Sequence, residues 1–436
     1  MVDLSTETVN QVVEDGLCNG CGTCAAVCPS GAIDIVKSKS CGIYLPRIKT
    51  DKCKTCQLCM TCCPGHKVDF QQLNLEIFGH QPSDRFLGNF LKCYVGHSND
   101  HDIRFDSSSG GIASQLLIFA LEKGLIDGAL VVGMKEDKPL EPRPFLARTK
   151  SEILSATGSK YCPVPANEAA KQILIEKGRF AIVGLPCHIH GIRKAEHQNP
   201  RLKEKIVLHI CLMCSHAVNF IGTEFIIEKL HIPRNRIDEV RYRGKGWPGS
   251  MTIKLRNGSS TSIPLVGTWS SYWPVFSSFL FTPTRCTMCP DQTGELADIS
   301  LGDAWLPELR SDKIGESIIV TRTQIVENVL SEMVSMKLVS IRPTTPEKVK
   351  QSQALNLKFK KCDLSTRLTI LSIFGKKIPD FVPKESSWSP LAFLRALYIY
   401  FSIGISSNKH IRSLLVCLPF PLFRLYFGLY KSLSEA

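Results

Sequence analysis

Two cysteine runs near the amino terminus constrain this chain more than any other feature. Cys18-Asn19-Gly20-Cys21-Gly22-Thr23-Cys24-Ala25-Ala26-Val27-Cys28-Pro29 and Cys53-Lys54-Thr55-Cys56-Gln57-Leu58-Cys59-Met60-Thr61-Cys62-Cys63-Pro64 both follow C-x2-C-x2-C-x3-C-P. That is the spacing of thiolates around cubane iron–sulfur clusters. Three thiolates two residues apart converge on three irons from one tight turn, while the fourth points away and ligates the neighbouring cluster. One cluster is therefore expected on Cys18, Cys21, Cys24 and Cys63, and a second on Cys53, Cys56, Cys59 and Cys28. Paired C-x-x-C also suits zinc, but a four-cysteine run ending in proline, repeated, favours iron–sulfur. Cys41 and Cys62 fall outside the pattern. Cys62 adjoins Cys63, yet only Cys63 keeps the x3 spacing and the following proline, so Cys62 is taken as a spare thiol.

The chain of 436 residues has room for two or three domains. Nineteen cysteines is a high count. Met1 leads into the polar, helix-like Thr6–Glu14 rather than a signal peptide, so the cysteines are expected to be metal ligands in a reducing, cytoplasmic setting. The formal charge of +13, which three clusters would bring to roughly +7, suggests an acidic partner: an electron-carrier protein, an anionic cofactor or a lipid surface. Lys and Arg are scattered, with no basic helix or aromatic-interleaved groove, so nucleic acid is not an expected partner.

In chain order, residues 1–75 form the ferredoxin-type module, with Gly31–Ile35 and Val68–Phe70 expected as short strands of an internal repeat, and Gln71–Gly88 is a polar connector. In Ser107-Ser108-Ser109-Gly110-Gly111, a small-residue loop opens the helix-periodic Ile112–Glu122; such a loop offers N–H groups and a helix dipole to an anion, or is a glycine turn with a Ser cap. Gly158-Ser159-Lys160-Tyr161 is a second such loop, with Lys160 able to meet a phosphate or a flavin carbonyl. Gly128–Val132, Phe180–Gly184 and Ile206–Ile210 read as strands, the last two running into Cys187 and into Cys211 and Cys214. Strand ends are where α/β sheets place ligands. Met251–Arg256 and Ser260–Pro264 flank Asn257-Gly258, a type I′ hairpin signal. Arg285-Cys286-Thr287-Met288-Cys289 adds a C-x-x-C pair, so a third metal site can draw on Cys187, Cys211, Cys214, Cys286 and Cys289. Leu391–Ile405 and Leu414–Tyr430 are apolar with interspersed basic residues, and neither reaches the length of an uninterrupted spanning run. They suit packing on the core, or amphipathic docking on a membrane or partner.

Tyr94–His97, Ser109–Gly111, Gly158–Tyr161, Gly184–Cys187, Arg241–Gly249, Arg285–Cys289 and Asp298–Trp305, in this order over roughly residues 10–320, carry a resemblance. The chain resembles the coenzyme F420 hydrogenase/dehydrogenase beta-subunit family, in the form with a fused amino-terminal two-cluster ferredoxin domain. The resemblance implies an α/β flavin and 4Fe-4S domain over residues 90–315 behind the ferredoxin-like module; with the region over 316–436, which lies outside the match and reads as helical from its own periodicity, the chain is expected to be an α+β protein. The resemblance further implies FAD near Ser108, Ser109, Gly110, Gly111, Gly158, Ser159, Lys160 and Tyr161, with Arg243, Lys245 and Asp303 on the flavin or substrate side. A third cluster is implied on Cys187, Cys214, Cys286 and Cys289, Cys211 being the other contender. Ser215-His216-Ala217 stands where family members carry Gly and Pro.

The expected function is an FAD- and iron–sulfur-dependent oxidoreductase, passing electrons between a ferredoxin-like carrier and a deazaflavin or other reducible organic molecule. No general acid stands out. Two other readings are an electron-transfer subunit without its own substrate site, docked to a partner or membrane, and a reductase in pigment or cell-surface polysaccharide biosynthesis.

Overall fold

The computed structural model describes residues 8–380 and 389–435. Thr6 at the polar start and Ala436 at the end lie outside the described residues. The amino-terminal module opens with the helix Val9–Glu14. Its two strands, β1 (Ile33–Lys37) and β2 (Tyr44–Ile48), pair antiparallel with Ile33 opposite Ile48. The repeat survives in the backbone of the cysteine runs: Gly20 and Gly22 take φ of 68° and 85°, and their counterparts Thr55 and Gln57 take 48° and 59°. Left-handed backbone at a non-glycine residue costs energy, so the surrounding fold must hold the second run in the shape that glycines give the first.

The expected strand Val68–Phe70 does not form. Asp69 instead caps a helix, Phe70–Phe78, its side chain accepting from the Gln72 N–H at 2.9 Å. That helix also replaces most of the expected polar connector, and β1 takes its partner from between the two runs.

The centre is an eight-stranded mixed sheet. Its strands are β3 (Lys92–Ser98), β4 (Gly128–Met134), β5 (Pro142–Ala147), β6 (Phe180–Gly184), β7 (Ile206–Leu212), β11 (Ile299–Asp303), β12 (Ser317–Thr321) and β13 (Val339–Thr344). The order is β13-β3-β12-β11-β7-β6-β4-β5. The inner strands β4, β6, β7 and β11 run parallel, with antiparallel strands on both flanks. Near-continuous apolar runs such as Phe180-Ala181-Ile182-Val183 suit strands covered on both faces. Ile112–Glu122 and Gln324–Ser335 cover one face over Ala129, Val131, Ile210 and Ile319. Pro186–Gln198 and Ala170–Ile175 cover the other over Leu130 and Ile182, joined there by Ala26 and Cys62 of the cysteine module. Cys62, 1% exposed, is thus a packing residue.

A separate antiparallel sheet holds β8 (Ile237–Arg241), β9 (Ser250–Leu255) and β10 (Ser260–Pro264). The hairpin forms, but not through a type I′ turn. Of its two central residues only Gly258 has positive φ, and the Gly258 N–H donates to the Leu255 carbonyl at 2.9 Å.

The boundary expected at 316 moves. The buried β12 and the edge strand β13 complete the central sheet beside β3, so the mainly helical region begins at Pro346. It ends in three helices, Pro390–Ser407, Lys409–Cys417 and Phe420–Glu435. Pro390–Ser407 has 18 residues and a mean hydropathy of 1.3. By length and composition it could span a membrane, but one face packs on the protein through Ala392, Ala396, Tyr398 and Ile399. Arg395 anchors it, forking onto the Asp363 carboxylate with two bonds of 2.7 Å and donating to the Leu433 carbonyl. Replacing Arg395→Met leaves the buried Asp363 carboxylate unpaired. It is expected to cost about 3–5 kcal/mol in urea unfolding, with Asp363→Asn in the same background recovering much of the loss.

Candidate functional site

The cysteines of the two runs surround two neighbouring cavities. One, with an open volume of about 350 Å³, is lined by Cys18, Cys21, Cys24 and Cys63. The other, also about 350 Å³, is lined by Cys28, Cys53, Cys56 and Cys59. Each cavity thus takes three cysteines from one run and the fourth from the other. Among the described residues no three His, Cys, Asp or Glu side chains converge on a single-ion position. Thiols standing round a cavity suit a multi-iron group. Burial, then the neighbouring Cys63, pushes the Cys18 thiol up, and burial does the same to Cys21, Cys24 and Cys63. Thiols so placed ionise readily only against a metal's positive charge.

Local structure fixes the first run. Gly22 is left-handed and close-packed: a Cβ there would lie 2.7 Å from the Glu168 nitrogen. The Asn167 backbone N–H donates to the Cys21 carbonyl at 2.9 Å, and its side chain ties Thr23 to the His188 carbonyl at 2.8 Å each. The Arg285 guanidinium donates to the carbonyls of Leu17 at 3.0 Å and Pro64 at 3.2 Å. Lys194 donates to the Cys63 carbonyl at 2.8 Å. The cysteine module is therefore held to the central sheet by backbone contacts beside its own ligand positions. The spacing of the runs carries no hint of Asn167, Lys194 or Arg285 as clamps.

Beyond Cys21 stands a third cysteine group. Cys187 opens helix Pro186–Gln198 after β6, Cys214 follows β7, Cys286 sits in the 3-10 turn Thr284–Met288, and Cys289 ends that turn. Burial pushes the Cys187 thiol up, and next in effect come Cys21, Cys214, Cys289 and Cys286. Burial raises Cys214 to about 12, with Cys286 and Cys289 contributing. Cys211 is fully buried in an apolar cluster with Ile189, Leu296 and Ala297. A Cβ on Gly294 would lie 2.2 Å from its sulfur, so Cys211 is wedged against backbone. Cys214 and Cys187 are near enough to Cys211 to raise its thiol further, but Cys211 is held in this apolar packing.

The residues nominated for flavin also gather in one place. Ser108 accepts from both the N–H and the hydroxyl of Ser159 at 2.8 Å. Ser109 pairs with Ser317 at 2.7 Å, and the Gly110 N–H donates to Ser317 Oγ at 3.0 Å. A Cβ on Gly158 would touch the Arg243 carbonyl at 3.1 Å. Arg243 forks onto Asp303 at 2.8 and 2.6 Å and donates to Tyr161 Oη at 3.2 Å, while Trp247 Nε1 reaches Asp303 at 2.9 Å. Lys245 is exposed at the rim.

Two expectations change here. No Ser caps Ile112–Glu122: its N-cap is Gly111, and no side chain bonds its first turn. Lys160 turns back on its own loop, donating to the carbonyls of Ala156, Thr157 at 3.3 Å and Gly158 at 2.9 Å, and burial lowers it to about 7. In this arrangement it braces the loop instead of meeting an anion.

Residues 93–171 match the family model described as coenzyme F420 hydrogenase/dehydrogenase, beta subunit N-term, and residues 177–347 match the model for the C terminus of the same protein. Together they span more than half of the chain. It belongs to this family. Residues 17–66 match a 4Fe-4S dicluster domain, so the family's iron–sulfur electron-transfer chemistry is carried here with a dicluster module fused in front. The coenzyme F420 hydrogenase subunit beta of Methanosarcina barkeri is 28% identical over 60% of this chain and 84% of its own length. The coenzyme F420-dependent sulfite reductase of Methanocaldococcus jannaschii is 26% identical over 81% of this chain and 51% of its own. A chain of the F420-reducing NiFe hydrogenase complex from Methanosarcina barkeri shares the fold, with a TM-score of 0.54 at 23% identity over 69% of this chain and 99% of that one.

The division of ligands between the cavities is testable. A Cys18→Ser/Cys63→Ser double variant is expected to lose one cluster, about four irons, no more than either single variant. Cys18→Ser/Cys28→Ser should lose both. Iron analysis of anaerobically reconstituted protein checks this, and loss of both clusters from the first pair would show that each run serves its own.

Proposed function

We propose that this beta-subunit relative is an FAD- and iron–sulfur-dependent oxidoreductase, moving electrons between a ferredoxin-like carrier and a hydride-exchanging organic substrate such as a deazaflavin. The observation that carries the reading is the line of cysteine groups. Cys59 is close enough to Cys24 to affect its charge, and Cys21 stands in the same relation to Cys187. The three groups thus follow one another from the exposed Cys56 to the carboxyl ends of the inner strands β6 and β7. Cys187, Cys214, Cys286 and Cys289 would hold the third cluster. From there the Cys214 N–H donates to the Gln292 carbonyl, and Gln292 pairs with Gln353, which donates to the Asp303 carbonyl at 2.8 Å. Asp303 belongs to the Arg243–Tyr161 group nominated for flavin.

The residues present fit FAD. The uncapped first turn of Ile112–Glu122 presents N–H groups suited to a diphosphate. Arg243, 2% exposed, is held by Asp303 and lies 5.9 Å from the Trp305 ring, which makes a rigid polar wall beside a half-exposed aromatic surface. When bound, iron–sulfur clusters supply one-electron relay and flavin supplies the exchange between one- and two-electron chemistry. The protein's part is to orient these groups, exclude water from the buried cysteine sites and hold the charge at Arg243. Anaerobic reconstitution is expected to give about twelve irons with flavin absorbance that bleaches with a hydride donor such as reduced F420. About eight irons and no flavin would overturn the reading.

A second reading, docking on a cytoplasmic membrane face, draws on the carboxyl-terminal helices. Their outer faces expose Leu394, Leu397, Phe401, Leu414, Leu425 and Leu429, flanked by the exposed Lys409, Arg424 and Lys431. This is the pattern of an interfacial surface. Phosphatidylglycerol vesicles, but not phosphatidylcholine vesicles, are expected to co-sediment the full chain, with loss in Leu394→Glu/Phe401→Glu. Equal binding by the variant would exclude this face.

A further inference from the structure

The family match ends at residue 347, and the chain beyond it returns to cover the third cysteine group. Lys358–Cys362 forms a π-helical turn, a distortion that recurs at functional sites. Lys360 in this turn is 2% exposed. Its ammonium donates to the Cys286 carbonyl at 3.4 Å, and its charge acts on Cys214 and Cys286. The adjacent Lys361 takes Glu295 as its partner. Among the described residues no carboxylate forms an ion pair with Lys360.

Arg367 is a second cation against the same Thr284–Met288 turn. It is fully buried, donates to the Thr287 carbonyl between Cys286 and Cys289 at 2.9 Å, and lies 4.0 Å over the Phe359 ring. Its Nη1 has no hydrogen-bond partner. A buried cation without a counter-charge is strongly unfavourable. Arg367 has the Asp363 carboxylate, itself forked by Arg395, and Cys289 within electrostatic reach; for Lys360 the anions at hand are the thiolates of Cys214 and Cys286 when these bind iron.

We propose that Lys360, supplied by the segment after the family match, is the built-in counter-ion of the third cysteine site and raises the potential at which a cluster there accepts an electron. This rests on the reading that Cys187, Cys214, Cys286 and Cys289 hold a cluster. Reduction adds one electron from the titrant and breaks no bond, so a fixed positive charge nearby favours the reduced form. Lys360 is a positioning residue: it acts on the site's charge and ligates nothing. Arg367 adds a second cation, with Cys289 within electrostatic reach.

The test is a dithionite titration of the full, anaerobically reconstituted protein followed by electron paramagnetic resonance, with iron analysis alongside. In Lys360→Gln the third cluster's midpoint is expected to move to more negative potential while both amino-terminal midpoints stay fixed, and Lys360→Arg is expected to move it back. An unmoved midpoint at full iron content overturns the proposal. If Lys360→Gln loses the third cluster, retention by Lys360→Arg supports a charge requirement and loss in both variants overturns it. About eight irons in the unaltered protein would instead remove the third cluster itself, so the two failures are distinguishable.

Discussion

The arrangement depends on one close approach, between the first cysteine run and the start of helix Pro186–Gln198. A Cβ on Gly191 would lie 2.2 Å from Thr23 Oγ1, so only glycine lets the two segments come together. The Asn167 bonds to Cys21, Thr23 and the His188 carbonyl then lock the approach. Cys21 and Cys187 become neighbours as a result, and two separately encoded cysteine groups become consecutive. Electron transfer demands short, fixed separations, and here they are set by backbone hydrogen bonds and packing, which deform less than a flexible linker would.

The carboxyl-terminal region adds a second layer to this design. Its inner face brings Lys360 and Arg367 to the third cysteine group, and Arg395 paired with Asp363 ties the long apolar helix to the same segment. The outer face stays apolar and exposed. The region after the family match thus covers one side of the third cysteine group and leaves an apolar face exposed on the other.

The grouping of the cysteines was legible because a ligand motif imposes spacing that chance seldom reproduces, and even the exchange of Cys28 and Cys63 between the two cavities follows from the x3 step. The parallel strands were legible from their apolar runs. What escaped was set by tertiary context. Asp69 belongs to a strand pattern by sequence but its carboxylate caps a helix. The strand β12 falls in the stretch expected to be helical, and its pairing with β11 on one side and β3 on the other draws it into the sheet. Lys160 looked like an anion ligand until burial gave its ammonium three carbonyls of its own loop. Lys360 carries no local signal at all, since a KFKKC stretch reads as a solvated basic turn.

The proposed function requires electrons to travel from the outer cysteine site to the flavin site. The most direct measurement is flavin bleaching in the reconstituted protein, driven by a reduced ferredoxin, in the unaltered chain and in Cys56→Ser. The variant should keep its flavin, bleach fully with dithionite, and bleach far more slowly with ferredoxin. Equal rates with ferredoxin in the two proteins would contradict the path through the amino-terminal sites.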